Sequence, residues 1–584
     1  MRSWLFDPLR MHLVRMIIVV LVVVPRIEVY AQWRFEGNTT PTWEDVVERY
    51  AEIDRTRSGT SFFEIGKDDD GSPIHLFVLS DGSGSTPDSI RASGKNILWI
   101  TNGIHPGEPD GIDASLLLTQ ALLDSDQYMG LLANTAVCIV PVYNVSGARQ
   151  RNSTSRVNQM GPEEYGFRGN ARNLDLNRDF MKVDASNTRT LITALNHWDP
   201  DIYFETHVSN GADHQYVMEL LTTHPDKLDP DLRQFMEVEL MPRQYGWMEQ
   251  HGHLMCPYFE THRAIPEQGL TGFVDGPRYS TGYNNLRQRI GILSESHMLK
   301  PYAERVNATF QLLLATLAAM NEHPRELQQA RAKARASAME VVHYQTNWRI
   351  DTTAVDSLRW SGYAADTTTS PITGLPRWRY HRDRPTDVEV PWMNTAVPGI
   401  QIERPVAYLI PRAWHELIER LQLDGVPMTP AATGHRYVVE LQRITDHRTV
   451  DRPYEGHYLH HDIVTSTTVD TVMARSGDVL VPMGHATDPL VMELLEPRAS
   501  DSFFAWGFFD AVLQQKEWFS DYVFEDIAAR VVEDDPGLAA ELEALRQRDP
   551  DFAKDAWAQL LFVYRHSPHM EPGYLRYPVR RVIQ

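Results

Sequence analysis

Cysteine is almost missing from this chain: its 584 residues include two, Cys138 and Cys256. Two thiols cannot build a disulfide framework or a cysteine-rich zinc module, although a single bridge remains open to them. Positive charge is scarce as well. Lys and Arg number 56 against 78 Asp and Glu, a formal charge of −22. That balance excludes nucleic acid as the main partner, because gripping phosphates needs a basic surface. Long apolar runs are lacking too. Met16–Val24 is a run of nine residues, whereas a membrane helix needs about 20. No repeat of a few tens of residues is visible, which argues against a solenoid or propeller. What is present is 42% apolar and 10% aromatic residues, ample for burying cores. The composition is that of a large, acidic, globular protein with no nucleic-acid partner.

Arg2, Arg10 and Arg15 precede the Met16–Val24 run, and Pro25 and Val29-Tyr30-Ala31 follow it. A basic start, a short apolar middle and an A-x-A-like end form a secretory signal pattern. Residues 1–31 are therefore expected to be a signal peptide. The mature chain is expected to be exported, periplasmic or secreted, with no membrane span. Beyond it, short β-rich runs alternate with amphipathic helical stretches from about residue 60 to 340. The runs include Ile74–Leu79, Asn96–Thr101, Ala136–Val142, Asp201–Glu205 and Arg289–Ser294. Such alternation predicts an α/β fold, a mixed and mostly parallel sheet sandwiched by helices. The expected catalytic domain is 32–340. A smaller β-rich domain is expected over 341–495, where Thr, Trp, Tyr, Pro and Val dominate, and a helical C-terminal region over 496–584.

The strand Asn96–Thr101 runs into a turn holding His105-Pro-Gly-Glu108, and a helical pattern begins at Gly111. Ligands of open α/β sheets collect at the carboxyl ends of strands. A second strand, Asp201-Ile-Tyr-Phe-Glu-Thr-His207, delivers another imidazole. His105, Glu108 and His207 make a His₂Glu set, three protein ligands with a fourth position left for water, the pattern of catalytic zinc. A third strand, Arg289-Ile-Gly-Ile-Leu-Ser-Glu295, ends on a carboxylate able to take a proton from activated water. The fourth piece lies in Phe167–Phe180. Arg178 offers a planar fork for a carboxylate, so Asn177 beside it suits the end of a peptide. Asp175 is placed to orient a ligand histidine.

These four pieces, in this order, resemble the carboxypeptidase A-like zinc carboxypeptidases over roughly residues 60–320. The resemblance implies one Zn²⁺ per chain held by His105, Glu108 and His207, with Glu295 as general base. It implies Asn177 and Arg178 as the carboxylate clamp and Asp175 behind His105. It also implies an upstream arginine that polarises the scissile carbonyl. Arg168 fits the spacing best, with Arg172, Arg156 and Arg151 as rivals. A tyrosine on a closing loop is implied as well, with Tyr283 favoured over Tyr279. Ser294-Glu295-Ser296-His297 departs from the animal digestive enzymes and looks more like bacterial members, which leaves substrate preference open. The expected function is a metallocarboxypeptidase releasing C-terminal residues of peptides. Two alternatives stand beside it: an amidohydrolase of N-acyl amino acids or cell-wall peptides, like the desuccinylases and aspartoacylases, and a non-catalytic exported binding protein.

Overall fold

Asn96–Thr101 (NILWIT) is buried along its whole length, as an uninterrupted apolar run requires when both faces of a sheet are covered. It is the third of eight strands in one sheet: β1 Thr60–Lys67, β2 Pro73–Leu79, β3 Asn96–Thr101, β4 Thr135–Val140, β5 Ile202–Ser209, β6 Met218–Thr222, β7 Met255–Pro257 and β8 Ile290–His297. Their spatial order is β1-β2-β4-β3-β5-β8-β6-β7. The pairs β4/β3, β3/β5, β5/β8 and β6/β7 are parallel, and the other three antiparallel. The sheet is thus mixed and mostly parallel, as the alternation predicts. A computed structural model describes residues 37–82 and 84–584. The signal-peptide expectation for 1–31 lies outside the described residues.

Helices cover both faces. Ile97 and Trp99 pack with Leu191, Ile192, Leu195 and Trp198 of the helix Ser186–Trp198 and with Leu286 of Ser280–Leu286. The opposite face carries Asp110–Asp124 and the long helix Tyr302–Glu322, which pack on each other. Helix Asp110–Asp124 lies unusually close to β5 because its second residue is Gly111: a methyl group there would run into the Thr206 hydroxyl and the Asn102 side chain. Gly111→Ala should therefore cost about 1–3 kcal/mol by overpacking, read as a lowered denaturant midpoint. An unchanged midpoint would show that the contact is not needed.

Residues 341–495 differ in detail from expectation. They combine short strands, such as Ala407–Ile410 and Val479–Pro482, with two long hairpins. Asp356–Thr369 pairs with Pro376–Met393, and Arg436–Thr449 with His460–Met473. Their side chains are largely exposed, so the apolar alternation that marks a half-buried strand is absent. Both expected boundaries are crossed. The first hairpin adds Leu270–Thr271 of the catalytic region to its sheet, and Arg580–Val582 inserts between Ala407–Ile410 and Arg436–Thr449. One apolar core unites Leu191, Ile192 and Tyr283 with Tyr408, Ile410, Leu417, Leu421 and Leu495. The expected helical stretch Ser502–Arg565 resolves into Asp521–Asp534, Pro536–Arg548 and Ala556–Arg565, while 502–509 are turns. Among the described residues no helix is long and apolar enough to cross a membrane. Cys138 and Cys256 are both free and buried.

Candidate active site

Three backbone segments meet at the carboxyl end of the sheet. His105 and Glu108 sit in the turn between β3 and helix Asp110–Asp124, His207 lies near the end of β5, and Glu295 is paired with His207 in register on β8. Glu108 and the two imidazoles are at least 96% buried. His105 Nδ1, His207 Nδ1 and Glu108 Oε2 form a triangle with sides of 3.2, 3.1 and 3.4 Å. Tetrahedral zinc with ligand bonds of about 2.0–2.2 Å requires ligand-to-ligand edges of about 3.3–3.6 Å. The donor set matches that figure closely, and its chemistry, two imidazoles and a carboxylate, is zinc's.

The other atom of each ligand is occupied. His105 Nε2 donates to Asp175 Oδ1 at 2.8 Å, and His207 Nε2 donates to Glu205 Oε1. An imidazole that gives its Nε2 proton to a carboxylate keeps Nδ1 as a lone pair, the form that binds metal. Glu108 Oε1 accepts from Arg156 Nη1 at 2.7 Å, while Oε2 accepts from Val208 N at 3.1 Å. Burial by itself would raise the Glu108 carboxyl. Arg156 and His105 override it and hold Glu108 well below the usual carboxylate range. Burial also works against a charged His207, yet Glu108, Glu205 and Glu295 push it up to about 10. A field that holds a proton so firmly also favours a divalent cation, which displaces that proton on binding. The residues present therefore fit zinc.

Glu205 and Arg156 complete the support of this triangle. Glu205 was legible: residues two apart on a strand share a face, so Glu205-Thr-His207 places acid beside imidazole. Arg156 stands 48 residues from Glu108, and nothing local singles it out from its rivals.

A cavity of about 450 Å³ opens over this end of the sheet. His105, Glu108, His207 and Glu295 line it, with Arg156, Arg168, Asn177, Arg178 and Tyr279, and Leu221, Tyr258, Phe273 and Leu293 add apolar and aromatic lining. Arg168 donates from Nε and Nη2 to Asp175 Oδ2 at 3.0 and 2.8 Å and stands 3.4 Å from Glu108 Oε1. Asn177 Oδ1 accepts from Ser280 N at 3.2 Å, and its Nδ2 is 3.4 Å from His207 Nε2. The Arg178 guanidinium lies over the Tyr279 ring, 4.4 Å from its centre. Burial pushes the Glu295 carboxyl up to about 8; Glu108 and Glu219 add to this, and His207 and Arg168 oppose it.

Tyr283 is not brought to this cavity. It is fully buried, donates its hydroxyl to Asp424 Oδ1 at 2.8 Å and packs on Phe180. It lies within helix Ser280–Leu286, on the face turned into the core, whereas Tyr279 caps that helix with extended backbone and reaches the cavity. The tyrosine expectation thus moves from Tyr283 to Tyr279.

The profile of the zinc carboxypeptidase family matches residues 50–253. That stretch carries a zinc carboxypeptidase domain. "Carboxypeptidase 2" of Trichophyton rubrum is 23% identical to this metallocarboxypeptidase over 498 residues, 81% of this chain and 85% of that protein. The Trichophyton equinum protein of the same name is 22% identical over 499 residues, again 81% and 85%. Among solved structures, the metallo-carboxypeptidase from Burkholderia cenocepacia is 17% identical, covers 47% of this chain and 68% of its own, and superposes with a TM-score of 0.35.

Proposed function

We propose that this metallocarboxypeptidase removes C-terminal residues from peptides with one zinc ion held by His105, Glu108 and His207. The observation that carries this reading is the convergence of His105 Nδ1, His207 Nδ1 and Glu108 Oε2 in the wall of a cavity that also holds Arg178 and Glu295. Bound there, zinc supplies Lewis-acid polarisation of the carbonyl and lowers the pKa of water. The chain's own residues do the rest. Arg178, with one N–H committed to the Asn177 carbonyl at 2.8 Å, offers its other donors to the substrate carboxylate alongside Asn177. Arg168 stands beside Glu108 to hold the charge that develops on the scissile carbonyl oxygen, where a preorganised donor has most effect. Glu295 takes the proton of the attacking water and returns it to the leaving amine. Asp175 and Glu205 fix the two imidazole tautomers. Leu221, Phe273 and Leu293 add apolar lining to the same cavity.

The β-rich and helical regions serve, in this reading, as a buttress. Asp175 N donates to Glu455 at 2.7 Å, His457 and Arg420 hold Asp184 at 2.6 and 3.1 Å, and Arg278 pairs with Asp501 at 2.8 Å. All four contacts pin segments that carry cavity residues. Export is proposed on the 1–31 pattern alone.

The clamp is tested with matched substrates: a peptide with a free C-terminus, the same peptide amidated, and an N-acyl amino acid. The free peptide is expected to be cleaved best. Arg178→Ala should lower its kcat/KM about 10²-fold or more, as expected when a desolvated charge loses its partner, with little change for the amide. Equal loss on both substrates would remove Arg178 from the clamp. Preference for N-acyl amino acids would assign the amidohydrolase activity instead.

A further inference from the structure

A second cluster of metal-binding type lies beside the first. His214, between β5 and β6, Glu219 on β6 and His297 at the end of β8 are all at least 97% buried. Glu219 Oε1 stands 3.2 Å from His214 Nε2 and 3.5 Å from His297 Nδ1. The Ser209 hydroxyl reaches the same oxygen at 2.6 Å and lies 3.3 Å from His297 Nδ1. The distances from Glu219 Oε1 to the two ring nitrogens, 3.2 and 3.5 Å, again approximate the edges of a zinc polyhedron, about 3.3–3.6 Å, while Ser209 is hydrogen-bonded to the carboxylate.

One carboxylate oxygen, Glu219 Oε1, thus faces the Ser209 hydroxyl and a nitrogen of each ring. The two rings stack at 4.0 Å between centres, inclined by 29°, so two imidazolium charges there would repel. Burial, with His297 beside it, brings His214 down to about 4. Neutral imidazoles are the ligand form.

From this convergence of two imidazoles, a carboxylate and a hydroxyl, we propose that His214, Glu219 and His297, with Ser209 adjacent, bind a second divalent transition-metal ion, zinc by donor type. The set of two nitrogens and one carboxylate oxygen suits zinc and disfavours calcium and magnesium, which take oxygen. The site is separate from the catalytic triangle. His207 and Ser209 are neighbours on one face of β5, as are Glu295 and His297 on β8, and such neighbours are about 7 Å apart. Two ions that share a reaction lie about 3.5–4 Å apart. The second ion is therefore structural, tying the β5–β6 connection to the end of β8 just beyond Glu295.

The full chain, stripped with chelator and titrated with zinc alone, is expected to take up about two equivalents. Glu219→Gln/His297→Gln should lose one equivalent and keep the one held by His105, Glu108 and His207. His105→Ala/His207→Ala should lose the other equivalent and all hydrolysis. The proposal is overturned if the wild type saturates at one equivalent that only the His105/His207 pair removes. A wild type that saturates at one equivalent lost only with Glu219/His297 would instead sink the catalytic assignment. Zinc-edge anomalous scattering from crystals of the wild-type protein gives a readout free of variant folding: a peak between His214, Glu219 and His297 supports the site, and its absence at saturating zinc rejects it.

Discussion

Glu295→Gln is expected to lower kcat for peptide hydrolysis by about 10³-fold while leaving zinc content unchanged, because general acid–base groups contribute about 10²–10⁴-fold. The substitution keeps the shape of the side chain and removes one oxygen's ability to accept a proton. Glu295 is buried beside Glu108 and Glu219, and both carboxylates disfavour its ionisation. Glutamine matches the side chain in shape and carries no charge to bury, so the variant should fold at least as well as the wild type. The measurement pairs steady-state kinetics with metal analysis on the same preparation. Wild-type kcat in a zinc-replete variant would falsify the role of Glu295, and loss of zinc together with activity would make it a metal-supporting residue.

His207→Ala should remove one zinc equivalent and abolish hydrolysis, since a catalytic site needs its three protein ligands. Glu205→Gln, which leaves the ligand in place but takes away the carboxylate that fixes its tautomer, should weaken zinc binding by about 10–100-fold. The gradation separates a ligand from the group behind it. Competition with a chelator of known affinity reads both variants. If His207→Ala retains zinc at wild-type affinity, the triangle of 3.1–3.4 Å contacts is a hydrogen-bonded cluster and not a metal centre.

The convergence of His105, Glu108, His207 and Glu295 was legible because it lies on local signals. Buried strands of the central sheet are continuous apolar runs, and His105, Glu108, His207 and Glu295 stand at or near their carboxyl ends, so the turn or strand end that delivers each side chain is visible in the chain itself. Glu205 could have been added by the two-residue period of a strand. Tyr279 and Tyr283 could not be separated, because the choice turns on where helix Ser280–Leu286 begins and on what packs against it. Asp424, the partner of Tyr283, is 141 residues away. The two long hairpins carry little apolar alternation because many of their side chains are exposed or half-buried.

By itself the amino-acid order determined the α/β class, the strand-to-turn junctions and the identity of the zinc-type donors, since these depend on residue periodicity and side-chain chemistry within short stretches. Tertiary structure alone decided that Arg156 holds Glu108, that Tyr279 and not Tyr283 enters the cavity, and that Glu455 and His457 brace the clamp segment from across the chain. It also decided that His214, Glu219 and His297 meet at all. Contacts between residues tens to hundreds of positions apart are fixed by strand register and by the burial of a shared core, and neither is written in any one segment.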